Sequence, residues 1–268
     1  MDNSKLQEIV NKSGFPLQIG LEAMINNSQG ELGWEVFSSE HSWREIGGSN
    51  FGFIDLVLLN EANTAFMIVE CKKVVDCSWI FLIPVKPNML LERRHVKAMV
   101  PTIKDHKFKG FAWEDVTADP QSPESSYCVV HGQDPKARPM LERIASILVD
   151  STEAFAIEYD HYGVDRSNML KLFFSVIVTT AELKICKFDP YEISIADGAM
   201  LKETEFIDVP YLRFRKQLSP YQVSGVEGGA KDFLIAKENT VFIVNANKLS
   251  DFLERFELSE SAATKLNM

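Results

Sequence analysis

The chain has few of the residues that build metal clips or covalent staples. Its four cysteines, Cys71, Cys77, Cys128 and Cys186, include no CxxC pair, and its five histidines show no HxH or HExxH spacing. That argues against a zinc site of familiar spacing, which needs such clustered thiolates and imidazoles. A disulfide framework is poorly served as well. The cysteine count is even, but the opening residues lack the basic, apolar and small-residue succession of a secretory leader, so reduced thiols are expected. No apolar run approaches the roughly 20 residues that span a bilayer. Together these absences predict a cytosolic protein.

What is present is an ordinary globular composition, 46% hydrophobic and 25% charged over 268 residues. Such a chain can bury a sizeable core in one large domain, or in one domain with an appendage. The formal net charge of −10 does not advertise a polyanion partner. Local distribution matters more for a cleft. Over residues 84–110, "PVKPNMLLERRHVKAMVPTIKDHKFKG", the bases Lys86, Arg93, Arg94, Lys97, Lys104, Lys107 and Lys109 face only Glu92 and Asp105. A smaller basic cluster holds Arg213, Arg215 and Lys216. The stretch "MLLERRHVKAMV" reads as an amphipathic helix whose apolar side packs on a sheet.

Ser4 can cap a short opening helix ending at Gly14, and Pro16 suits the first turn of a second helix running to about Asn27. Leu17, Leu21, Met24 and Ile25 line one face of that helix, with Glu22 beside the stripe. "WEVFSSEHSW" follows as a strand. Residues 53–59 and 65–75 are two strands joined by "NEANT", short enough for a hairpin. Residues 113–139 read as a surface excursion, residues 139–157 as a long helix, and "KLFFSVIVTTAELKICKFD" as two more strands. "YLRFRK" and "TVFIVNA" add short strands, and a last helix is expected near residues 248–256. The Gly-rich stretch at residues 225–229 lacks the Lys and Ser/Thr of a phosphate loop and reads as a turn. A soft boundary near residue 190 divides a core of residues 1–190, with its basic helical segment near 84–110, from a C-terminal extension of residues 191–268 packed on it.

The hairpin "FGFIDLVLLNEANTAFMIVECKKV" raises the functional question. Both strands are apolar on both faces, as in a sheet covered on each side, yet they carry Asp55, Glu70 and Lys72. An unpaired charge there costs several kcal/mol. Glu70 and Lys72 point to one face by the period of two, and antiparallel pairing brings Asp55 across from them. Two carboxylates on adjacent strands offer oxygen ligands to a hard cation such as Mg²⁺ or Mn²⁺. A buried structural ion pair is the bland alternative.

Asp55, fourteen intervening residues and Glu70-Cys71-Lys72, preceded by a helix carrying Glu22, resembles the PD-(D/E)xK nuclease superfamily. Ile54 stands where the family name has Pro. The resemblance implies an α/β, restriction-endonuclease-like core, with a mixed central β-sheet flanked by helices and additional C-terminal α/β elements. It implies a metal-dependent nuclease hydrolysing DNA, of the kind found in bacterial restriction or defence against phage. Asp55 and Glu70 would then hold the metal, with the Cys71 backbone carbonyl and Glu22 adding ligands and Lys72 assisting the attacking water. Lys73, Arg93, Arg94 and Lys97 would contact nucleic acid, and cutting both strands would call for a homodimer. The alternatives are a catalytically inactive member of the same fold that binds DNA or protein, and an assembly protein whose basic segment docks on an acidic partner.

Overall fold

The computed structural model describes residues 2–28, 30–45, 47–85, 91–104, 107–134, 139–161, 171–218, 234 and 237–259, with the side chains at 103, 104, 107 and 108 excepted. Lys86, the Lys104 and Lys107 side chains, and the turn expected at residues 225–229 therefore lie outside the described residues.

Helices α1 (Asn3–Lys12) and α2 (Phe15–Asn27) open the chain, α2 with Pro16 in its first turn. Strands β1 (Trp34–Arg44), β2 (Phe51–Asn60) and β3 (Ala65–Lys72) form an antiparallel meander. The expected β2–β3 hairpin is present, and its turn is held by Asn60. The Asn60 side-chain oxygen accepts from the amides of Thr64 and Ala65, both at 2.8 Å. Asn63 takes a left-handed φ of 53° in that turn, a conformation Asn tolerates better than most residues.

Then come β4 (Ser78–Pro84), β5 (Glu92–Lys104), β6 (Lys107–Ser125), β7 (Cys128–Val130), α3 (Met140–His161), β8 (Leu172–Thr179) and β9 (Glu182–Phe188). The chain continues through β10 (Glu205–Asp208), β11 (Tyr211–Lys216), β12 (Asn239–Asn245), α4 (Leu249–Glu254) and β13 (Glu257–Leu258). The larger sheet runs β1-β2-β3-β8-β12-β11-β6-β13, with β5 beside β6, and a smaller sheet runs β10-β9-β4-β7. The two strands expected in "KLFFSVIVTTAELKICKFD" part company: β8 lies parallel to β3, and β9 lies parallel to β4 in the other sheet.

The restriction-endonuclease-like expectation is overturned here. Strand β5 pairs with β6 along its length and also meets β8 through Met99 and Phe173. Strands β8, β12, β11, β6 and β5 therefore close on themselves as a five-stranded barrel, with β1–β3 extending from β8. That is a mixed α/β protein with a closed barrel core, not the open, helix-flanked sheet of the PD-(D/E)xK nucleases.

Two misread segments account for the difference. The basic run expected to be helical is strand β5, and much of the expected surface excursion is strand β6. Val96, Ala98 and Val100 on β5 and Val116 and Ala118 on β6 all turn into the core that holds Phe174 and Phe242. Their period is two, but the interspersed bases obscure it. The C-terminal segment supplies the rest of the wall, since β12 lies between β8 and β11.

Arg213 pins this wall. It is 0% exposed on β11 and donates to the carbonyls of Ala118 at 2.8 Å and Pro120 at 3.0 Å, and to Ser122 Oγ, all on β6. Its guanidinium also sits 5.0 Å from the Phe242 ring centre. One apolar core lies between the sheet and α2 and α4, and a second lies under α3, where Phe66, Phe155 and Phe173 pack edge-on or stacked. Strands β3 and β8 are covered on both faces, which is why they read as unbroken apolar runs. Among the described residues no helix is long and apolar enough to cross a membrane.

Candidate functional site

The polar interruption of the β2–β3 hairpin gathers side chains from four elements. The described β2–β3 ladder runs from Leu59 with Phe66 to Leu56 with Val69. Just beyond that pair, the Asp55 carboxylate takes the place of a strand carbonyl: its Oδ2 accepts from the Cys71 amide at 2.6 Å. Parallel pairing of Glu70 with Ile177 and Lys72 with Thr179 fixes the end of β3 against β8. Lys72 is further held by its carbonyl, which accepts from the Thr180 amide at 3.2 Å.

From the helical side comes Gln18, a buried residue of α2. Its Nε2 donates to the Glu40 carboxylate at 2.7 Å and to the Asp55 carbonyl at 3.1 Å. Glu22, one turn along, accepts from Ser39 Oγ on β1 at 3.3 Å. Glu40 lies in β1 between Ser39, paired with Leu56, and His41, paired with Ile54, so it faces Asp55 across the ladder. Its φ of 51° is left-handed, an expensive setting for a residue with a long side chain. Strained residues cluster at functional positions.

The electrostatics show how closely these groups interact. Burial, then the Asp55 charge, pushes the Glu70 carboxyl up to about 7, with Lys72 opposing the shift. Asp55 is also raised, mainly by burial; the Cys71 amide opposes this, Glu40 adds to it and Lys72 opposes it. The Cys71 thiol is pushed up by burial and by Asp55, Glu70 and Glu40. It packs among the apolar residues of the α2-side core, inert as a nucleophile. Three carboxylates acting on one another with one lysine among them leave a local excess of negative charge.

The structure sets Asp55, Glu70 and Lys72 within electrostatic reach of one another, and places Glu40 and Gln18 beside Asp55. Glu22 belongs to the neighbouring turn with Ser39. The Cys71 group that the structure engages is its amide, on Asp55. Glu40 is exposed on the edge strand β1, where an acid between Ser and His carries no sequence signal of its own. Its signal lay in the β1–β2 register, which puts position 40 opposite position 55.

The donor set suits a hard cation. Asp55 and Glu70 offer carboxylate oxygens that are partly desolvated and repel one another, and a divalent ion would offset that repulsion. Among the described residues no three His, Cys, Asp or Glu side chains are gathered closely enough to hold an ion by themselves.

Of the four bases expected to meet nucleic acid, Lys73, Arg94 and Lys97 have partners within the fold. Arg94 forms a fork with Asp119, Nε to Oδ1 at 2.9 Å and Nη2 to Oδ2 at 2.5 Å. Lys97 is buried against Asp115 at 3.2 Å, which also takes Arg215 at 2.9 Å. The Lys73 ammonium donates to the Asn11 carbonyl at the end of α1. Arg93 is half-buried, and its charge bears on Glu124. Comparison with protein-family models, curated proteins and solved structures returns no match to this chain.

Proposed function

We propose that the protein is a divalent-cation-dependent phosphodiester hydrolase acting on nucleic acid, with DNA as the first substrate to try. The observation that carries this reading is the meeting of Asp55 and Glu70 with Lys72 at the end of β2 and β3, where burial and like charge hold Glu70 near 7. Asp55 and Glu70 would hold Mg²⁺ or Mn²⁺, which when bound polarises a phosphoryl oxygen and acidifies a coordinated water. The Cys71 amide orients Asp55, and Gln18 orients Glu40 while tying α2 to the Asp55 backbone. Lys72, on the same pleat as Glu70, presents a compact cation to the attacking water or to the charge that develops on the phosphate.

A second reading, a binding module without catalysis, is favoured by the fate of the bases. With Lys73, Arg94 and Lys97 engaged internally, the expected phosphate-contacting surface is largely neutralised. The deciding experiment incubates the protein with supercoiled plasmid, linear duplex and single strands in Mg²⁺ or Mn²⁺, beside Lys72→Ala and Glu70→Gln. The hydrolytic reading expects cleavage that disappears with EDTA and in both variants. No cleavage, together with a melting temperature indifferent to either cation, overturns it and leaves the charges as a structural network.

A further inference from the structure

Strand β2 opens Phe51-Gly52-Phe53, and its ladder with β1 accounts for the alternation. Gly52 pairs with Trp43, and a Cβ on Gly52 would come 3.2 Å from the Trp43 indole nitrogen. Trp43 and Ile54 are buried in the core under α3. The period of two then turns Phe51 and Phe53 to the other face, where they are 80% and 62% exposed. Directly opposed residues of an antiparallel pair share a face. Arg44, opposite Phe51, and Ser42, opposite Phe53, therefore stand beside the two rings. These four residues border one groove of about 900 Å³. Arg44 is exposed, and among the described residues its guanidinium forms no ion pair.

We propose that this face is a stacking platform for unpaired bases, and that the candidate site acts on single-stranded nucleic acid. The choice of occupant rests on the hydrolytic reading, because the platform leads straight to the site. Phe53 precedes Asp55 by two residues of β2 and Phe51 by four, about 7 and 13 Å of extended strand. The side chains displayed are rings, and a ring offers a flat face that any base can meet whatever its identity. Arg44 adds a phosphate contact alongside them.

A duplex fits the same surface poorly. Its bases are already stacked on one another, and its binding depends on neutralising many phosphates. The net charge is −10, and Lys73, Arg94 and Lys97 are engaged within the fold. Stacking is the source of affinity that remains, and it needs free bases.

Fluorescence anisotropy of a labelled oligodeoxythymidine, beside a blunt duplex of the same length, tests the platform. Both are measured in EDTA, so that binding is read without metal-assisted hydrolysis. The wild type should hold the single strand at least tenfold more tightly than the duplex. Phe51→Leu and Phe53→Leu keep an apolar side chain and lose the ring, and each should weaken single-strand binding roughly tenfold. Phe53→Trp should preserve it. Arg44→Gln should reduce the slope of log affinity against log salt by about 0.7, the share of one phosphate on a single strand. All four variants should melt with the wild type, because these side chains are exposed. Equal affinity for the duplex, no single-strand binding, or binding indifferent to both leucine variants overturns the platform. So does Phe53-dependent cosedimentation with phosphatidylcholine vesicles, or a self-association that Phe53→Leu abolishes. Single-strand cleavage in Mn²⁺ with an unchanged KM in both leucine variants removes the platform and leaves the hydrolytic reading standing. Ring-dependent binding with no cleavage in Mg²⁺ or Mn²⁺ supports the platform and removes the hydrolytic reading.

Discussion

Asp55 and Cys71 meet across the end of the β2–β3 ladder, the Asp55 carboxylate accepting the Cys71 amide at 2.6 Å where the strands' own pairing stops. The contact gives the carboxylate a structural task and leaves its other oxygen for a ligand. Asp55→Ala should therefore lower stability by about 1–3 kcal/mol, the cost of an unpaired buried amide. Asp55→Asn keeps an acceptor and should be milder, while on the hydrolytic proposal it loses cation binding just as fully. Urea melts with and without Mn²⁺ separate the two effects. Equal destabilisation by both substitutions would dispose of the structural half of this account.

Stability should fall as the pH rises through the Glu70 transition. The Glu70 carboxyl moves from its ordinary 4.5 to about 7 on folding, so the folded state keeps a proton that the unfolded chain has already released. Its contribution is complete below about pH 4.5 and is lost by about pH 7, a change on the order of 3 kcal/mol. Asp150 on α3, pushed up to about 6 by burial and by the charges of Glu153 and Glu45, adds to the same slope at lower pH. Thermal melts at pH 5 and pH 8 should show the decline, and Glu70→Gln should flatten the part above pH 6. Bound divalent cation should reduce the decline, because it favours the ionised carboxylate.

Glu40 offers a trade between stability and function. Glycine at this left-handed position should stabilise the fold by about 1 kcal/mol through relief of backbone strain. It also removes the carboxylate that Gln18 holds at 2.7 Å, so cation affinity should drop. Calorimetric titration of Glu40→Gly with Mn²⁺, beside its melting curve, checks both signs. A Glu40→Gly protein that binds the cation as the parent does would make Glu40 a purely structural residue.

Arg213 should be hard to replace even by lysine. Its fork reaches the carbonyls of Ala118 and Pro120 together, besides Ser122 Oγ and the Phe242 face, and a single ammonium cannot reproduce that geometry. Arg213→Lys should cost about 2–4 kcal/mol by leaving buried carbonyls unpaired, read as a lower urea midpoint. Hydrogen exchange should quicken most in β6 and β11, the strands the fork joins.

Local pattern was enough for the elements nearest the site. Apolar runs of strand length with Asn-rich punctuation define β2 and β3, and Pro16 with the Leu17, Leu21, Met24 and Ile25 stripe defines α2. The odd charges at 55, 70 and 72 fall on facing strands by sequence alone, because neighbouring strands of a short hairpin have little choice of register. Glu40 and Gln18 escaped, since an acid on an edge strand and an amide on a helix acquire meaning only from what they face.

Long-range pairing decided the rest. Whether residues 92–104 would coil or extend depended on β6, up to about thirty residues away, and on Met99 meeting Phe173 of β8. Whether Arg94 and Lys97 would be free for a phosphate depended on Asp119 and Asp115 across that hairpin. A motif of three charges is a local property of one hairpin and is compatible with more than one surrounding architecture. Closure of a sheet on itself is set by contacts between segments far apart in the chain, and no window of neighbouring residues contains it.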